Sequence, residues 1–172
     1  MNDHAEERGD GQAGLAGNTG HPGRNGVAPL VIDAAVATKL VLPEELSGRA
    51  QALVEAAIEA NRRVIGPPLL TVEVANTIYA QRRNDEITGG EADAAIAAYL
   101  RLGIETVSPG GLDRAAFAFA RAHRLRSIHA AHYVVLAQML ETELWTGDRA
   151  LLKSAAPVAP WVCWIGDFSD GG

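Results

Sequence analysis

Residue type and setting point to chemistry at three carboxylates and at one helix start. Asp33 directly follows the apolar run Pro29-Leu30-Val31-Ile32, Glu73 lies inside LLTVEVANTIYA, and Asp148 lies in WTGDRALL beside Gly147. Each has a plainer role. Asp is a favoured helix N-cap, which would account for Asp33 and Asp148, and a glutamate at the boundary of a helix's buried stripe is usually just solvated. The combination carries more than any member. Carboxylates from two strand ends and a neighbouring helix could converge on one hard divalent cation, Mg2+ or Mn2+, which prefers oxygen ligands and leaves places for water and substrate phosphate. Such an ion polarises a phosphoryl group and acidifies an attacking water, which is what phosphodiester hydrolysis needs.

The helix start is SIHAAHYVVLAQ, residues 127–138, with His129 and His132 separated by two alanines. Residues three apart share a helix face, so the two imidazoles could in principle chelate a metal together. The plainer reading makes His132 a partly buried polar residue and His129 a residue of the helix start. Arg82 and Arg83 end the segment carrying Glu73, and Arg121, Arg124 and Arg126 precede the histidine segment. They offer a track for a polyanion or, more simply, a solvated surface. Lys39, two turns after Asp33, is placed to orient a carboxylate or phosphate, or to snorkel along the surface.

The elements that must position these groups alternate between strand and helix. Residues 29–32 read as a buried parallel strand that ends in a carboxylate, and AVATKLVL follows it. Pro43 suits the first turn of a helix that continues through LSGRAQALVEAAIEANRR. VIGPP (64–68) predicts a second short strand, LLTVEVANTIYAQRRN a helix, residues 91–102 another helix, and IETVS (104–108) a strand. GGLDRAAFAFARAHRL and SIHAAHYVVLAQML are helical, ELWTGDRALL is a strand running into a short helix, and WVCWI (161–165) is a last strand. This order predicts an α/β fold, a three-layer α/β/α sandwich around a mostly parallel sheet. Ligands of such sheets bind outside the carboxyl ends of the strands.

Length and composition bound the rest. The 172 residues are enough for one domain with a sizeable core. We expect a disordered N-terminal tail over residues 1–28, which are rich in Gly, Asn, Asp, Glu and Arg, then a domain over 29–168 and a short C-terminal tail over 169–172. The first stretch lacks the apolar core of a secretory signal, and no later run approaches the roughly 20 apolar residues of a membrane span. Cys163 is the single cysteine, which excludes a disulfide framework and a thiolate zinc site. The expected compartment is the cytoplasm. A net charge of −6 argues against binding nucleic acid mainly by neutralising phosphates, but is compatible with meeting phosphates through a divalent metal. The apolar faces of LVEAAI and AFAFA are candidates for a homodimer or partner contact, or for core.

From about residue 30 to residue 168 the chain resembles the PIN domain family and, within it, the VapC-type toxins of bacterial toxin–antitoxin pairs. Five segments in order carry the resemblance: VIDAAVATKLVLPEE, LLTVEVANTIYA, IHAAHYVVLA, LWTGDRALL and WVCWIGDF. It implies a PIN-like fold and a Mg2+- or Mn2+-dependent endoribonuclease that hydrolyses RNA until a cognate antitoxin occupies its site. Asp33, Glu73 and Asp148 match the family's acidic, metal-binding positions, and Thr146 matches a hydroxyl that often lines the site. Two positions depart from the pattern. A Tyr-Asp-Ala-like triplet falls on His129-Ala130-Ala131, so the family's acidic residue falls on Ala130, and the common Asp-Ala-Ser of the opening strand is here Asp33-Ala34-Ala35.

Loss of one carboxylate of four weakens a loosely held Mg2+ first. This leaves a ribonuclease impaired by the missing acid or, alternatively, a catalytically inactive PIN-fold protein that still binds an antitoxin. A phosphoacceptor domain of the receiver kind ranks below both. It needs adjacent acidic residues after the first strand and a lysine after the last core strand, and neither is present.

Overall fold

The computed structural model describes residues 26–169. The expected N-terminal tail therefore lies outside the described residues except for Gly26, Val27 and Ala28, which are exposed and precede the first strand. Residues 170–172 also lie outside them.

Among the described residues five strands form one sheet: β1 (Leu30–Ile32), β2 (Val64–Gly66), β3 (Glu105–Thr106), β4 (Leu144–Thr146) and β5 (Val162–Trp164). Their spatial order is β3-β2-β1-β4-β5, and every pairing is parallel. Seven helices flank the sheet in a three-layer α/β/α sandwich: α1 (Ala34–Lys39), α2 (Ser47–Glu59), α3 (Leu69–Arg83), α4 (Gly89–Arg101), α5 (Leu112–His123), α6 (Ile128–Met139) and α7 (Arg149–Ala155). Among the described residues no helix is long and apolar enough to cross a membrane.

The strands are short and apolar because the central ones are covered on both faces. Leu30, Val31, Ile32, Ile65 and Leu144 have no exposed surface, and burial of each such side chain contributes about 1.5–3 kcal/mol. The helices bury one stripe each, as Leu70, Val74 and Ile78 do on α3. α6 differs: Ala131 and Tyr133 through Ala137 are all buried, because this helix packs on α5, β1 and β4 at once.

Three expectations about the elements need correction. Pro43 does not open a helix; it lies in a turn where Ser47 Oγ accepts from the Glu44 N–H at 3.0 Å and donates to the Leu42 carbonyl at 3.1 Å, so α2 begins only at Ser47. The fourth helix starts at Gly89, where Thr88 and Glu91 form a reciprocal capping box. The strand expected over 104–108 keeps two paired residues, Glu105 and Thr106, both exposed at the sheet edge.

At the amino ends of the strands, Arg62 joins neighbouring segments. It donates to the carbonyls of Ala28 and Pro29 at 2.9 and 3.0 Å and pairs with Glu143 at 2.6 Å. At the carboxyl ends the joint is steric. A Cβ on Gly147 would stand 3.0 Å from the Ala35 Cβ and 3.1 Å from its carbonyl carbon, so only glycine lets the turn after β4 lie against the start of α1. Gly147→Ala is expected to lower stability by about 1–3 kcal/mol, as overpacking of tight sites does, read as a lower urea midpoint; an unchanged midpoint would show that this seam yields freely.

Candidate functional site

The strand order reverses at β1: β2 and β3 extend from one side of it, β4 and β5 from the other. In doubly wound sheets the crevice at such a switch point, outside the carboxyl ends of the strands, receives ligands. Here the residue after β1 is Asp33, and two residues after β4 comes Asp148.

Both aspartates are N-caps, and both also reach the crevice. Asp33 Oδ1 accepts from Val36 N at 2.8 Å, which starts α1, and from Gly147 N at 3.2 Å. Its Oδ2 accepts from the Thr146 hydroxyl. Asp148 Oδ1 accepts from Ala150 N at 2.7 Å, which starts α7. The capping role and the site role therefore coexist, because a helix that follows a parallel strand begins at the end of the sheet where ligands bind.

Asp33, Glu73 and Asp148 line one cleft of about 540 Å3, together with Lys39, His129 and Ala130. Asp33 is 4% exposed, and among the described residues no cationic side chain pairs with it. Burial pushes its pKa up to about 6, against the opposing effect of the Thr146, Val36 and Gly147 hydrogen bonds and with a further upward push from the charge of Asp148. Lys39 does not neutralise it, because its ammonium pairs with Glu44 at 2.9 Å and Gln81 donates to the other Glu44 oxygen at 2.8 Å.

Glu73 enters the cleft from the second turn of α3, beside the buried Val74. Its Oε2 accepts from the Tyr133 hydroxyl at 2.5 Å, and its Oε1 lies 3.0 Å from His129 Nδ1. Tyr133 was not among the residues the sequence singled out. The signal that would have found it is the spacing of four between His129 and Tyr133, which puts both on one face of α6. Burial and the adjacent Glu73 carboxylate hold its phenol well above the ordinary value, so it remains a donor.

Several expectations change with the geometry. His129 and His132 do not chelate together: His132 Nε2 contacts Asp113 at 2.9 Å and Nδ1 contacts the Ile128 carbonyl at 2.8 Å, so each imidazole has its own carboxylate. Thr146 does not line the cleft. It is fully buried behind Asp33, where its hydroxyl donates to Asp33 and accepts from Asp148 N at 2.9 Å, and so ties the two aspartates together. Arg82 is paired with Asp85 at 2.7 Å, which leaves Arg83, Arg121, Arg124 and Arg126 as exposed members of the basic track.

Among the described residues no three His, Cys, Asp or Glu side chains stand close enough to hold one ion together. The three carboxylates share a cleft without being gathered into a cage. Oxygen donors around an open cleft suit Mg2+, which keeps several of its waters, better than an ion that needs an all-protein cage. A buried carboxylate with no cationic partner is also the kind of group a bound cation relieves. Ala130, half-buried in the same cleft, supplies no ligand.

No protein-family model and no curated protein matches the chain. Among solved structures it is similar to the crystal structure of PAE2754 from Pyrobaculum aerophilum, with a TM-score of 0.56 and 17% identity, covering 81% of this chain and 92% of that one. The likeness carries the fold and leaves the chemistry to the site itself.

Asp33 makes stability depend on pH. Its folded pKa, about 6, exceeds the reference value of 3.8, so the folded state binds the proton more tightly and the stability this confers is complete below about pH 4 and lost as pH rises through 6. The shift of about two units corresponds to about 3 kcal/mol. In buffer containing a chelator, Asp33→Asn is expected to be more stable than the parent at pH 7 by up to that amount, and to lose the advantage near pH 4. A pH-independent difference in urea unfolding would contradict this.

Proposed function

We propose that this protein is a metal-dependent endoribonuclease of the PIN-domain, VapC-like kind, the toxin of a type II toxin–antitoxin pair acting in the cytoplasm. The observation that carries this is the meeting of Asp33, Glu73 and Asp148, from the ends of β1 and β4 and from α3, on one cleft at the switch point of a parallel sheet. The resemblance of the five sequence segments assigns acidic, metal-binding roles to the same three residues.

The resemblance makes Asp33, Glu73 and Asp148 the groups toward which Mg2+ or Mn2+ would bind; in this structure they line the cleft without standing close enough to hold one ion together. Such an ion, when bound, supplies charge stabilisation for the phosphoryl oxygens and an acidified water. The chain's own residues do the positioning. Thr146 and the Gly147 N–H fix Asp33 against the end of β4, Tyr133 fixes Glu73, and the walls of the cleft leave an open face for an RNA backbone. Arg83, Arg121, Arg124 and Arg126 offer exposed guanidiniums for flanking phosphates. A cognate antitoxin and a second copy of the chain are the protein partners of this reading, and the exposed Val72 and Tyr79 on α3 and Leu100 on α4 provide apolar surface for such contacts.

Ala130 favours a second reading, a PIN-fold protein that has lost catalysis and retains antitoxin binding, because the family's fourth acid would project from this cleft-lining position.

Cleavage of a mixed RNA in Mg2+ and then Mn2+ separates the two. The parent chain is expected to cleave slowly, Ala130→Asp about tenfold faster or more, in the range typical for groups supporting a metal site, and Asp33→Ala not at all. Cleavage by Ala130→Asp alone would establish the inactive reading for the parent chain. Absence of cleavage by all three proteins would remove the ribonuclease assignment.

A further inference from the structure

We propose that the outer face of α5 is a contact for single-stranded RNA, in which Phe117 stacks on a base and Arg114 and Arg121 hold the phosphates on either side. The contact lies outside the cleft and needs no cation there; it rests on the ribonuclease reading only for the choice of ligand.

The three residues form one stripe. At about 100° per residue, positions 114, 117 and 121 of a helix fall within about 60° of arc, and all three are exposed. Leu112 and Ala116 form the opposite, buried face. Phe119, two residues on from Phe117, turns inward, packs on the core and lies against the His123 ring at 4.4 Å between centres. Phe117 is 58% exposed. Among the described residues no ion pair involves Arg114, Arg121, Arg124 or Arg126, and Asp113, the one acid of the helix, contacts His132 instead. Residues 112–126 hold four arginines and one aspartate in a chain whose net charge is −6.

A single exposed phenylalanine is ordinary on a protein surface. Bracketed by unpaired guanidiniums one turn away on each side, it offers an apolar ring face and positive charge together. Single-stranded RNA supplies both complements, bases with free π-faces and a phosphate beside each. In a duplex the bases stack on one another and leave none for Phe117. A second copy of this chain is disfavoured, since a two-fold contact brings the same arginines face to face. An acidic peptide satisfies the guanidiniums but leaves the ring without a flat partner. The acidic remainder of the chain repels a polyanion, so the stripe confines the strand to one face. Its Arg121 end continues through Arg124 and Arg126 to Ser127, which lines the cleft, and so leads the strand to the cleft mouth.

Fluorescence anisotropy of the full chain with a short labelled single-stranded RNA of mixed sequence, in a chelator so that no cleavage occurs, tests the contact. Phe117→Ala is expected to weaken binding roughly five- to hundredfold, the loss of one base–aromatic stack, and to leave the salt dependence of Kd unchanged. Phe117→Trp is expected to retain the affinity. Arg114→Gln combined with Arg121→Gln is expected to flatten the slope of log Kd against log salt by about 1.4, as the loss of two phosphate contacts on a single strand requires. All three side chains are exposed, and circular dichroism checks that each variant is folded. Parent-like affinity in Phe117→Ala overturns the proposal, as does an unchanged slope in the double variant or an equal loss with polyphosphate, which has no bases. Tighter binding of a polyglutamate peptide than of the RNA overturns it in favour of a protein partner. If any of these is found while the parent cleaves RNA in Mg2+ or Mn2+, only this inference falls. If the parent neither binds nor cleaves RNA, the ribonuclease reading falls with it.

Discussion

The buried carboxylate of Asp33 is the constraint around which this structure is arranged. It accepts hydrogen bonds from Val36 N, Gly147 N and the Thr146 hydroxyl, and so joins the end of β1, the start of α1 and the end of β4 through one side chain. Three donors partly offset the cost of removing a charge from water, and its pKa near 6 measures how incomplete that compensation is. An apolar residue at this place would leave the Thr146 hydroxyl and two backbone donors without their acceptor. The seam needs an acceptor there, and the same side chain puts a buried carboxylate on the cleft wall.

The two ends of the sheet are built differently. At the amino ends, Arg62 and Thr142 tie the strand starts together: both donate to the Pro29 carbonyl, and Arg62 also pairs with Glu143. At the carboxyl ends the chain turns immediately from β1 and β4 into short helices, and Gly147 allows those turns to approach more closely than a side chain would permit. Rigid strand starts and close turns hold Asp33 and Asp148 on backbone that has little freedom. Glu73 comes instead from the side of a long helix, and its place depends on contacts made by its side chain. That difference explains why Glu73, rather than either aspartate, needs a buried tyrosine at its back.

Proposed as a nuclease, the cleft is short of one acid, and the shortage is local. Ala130 lines the wall between His129 and the core-facing part of α6, and the neighbouring imidazole contacts the carboxylate across the cleft. In that proposed reading, fewer acidic groups hold a hard cation more loosely than a four-carboxylate site does.

Much of the architecture could be read along the chain because its causes are local. The apolar runs before Asp33 and in LWT identified two central strands, the spacing of Leu70, Val74 and Ile78 identified a helix face, and Asp33 and Asp148 could be recognised as caps from the helices that follow them. These are matters of three- and four-residue spacing and of period, which the sequence by itself determines. It also marked Ala130 as a departure from the pattern of the family the chain resembles. The plainer reading of α6, with His132 partly buried and His129 at the helix start, holds, and the chelation left open beside it does not form, because the sheet turns His129 toward Glu73 and His132 toward Asp113. The strand order, the burial of Thr146 behind Asp33, and the bond from Tyr133 to Glu73, sixty residues earlier, were decided only by the tertiary structure. The physical reason is that parallel pairing and side-chain satisfaction are contacts between distant segments: which donor meets which carboxylate follows from how the helices cross the finished sheet, and no local spacing encodes that crossing.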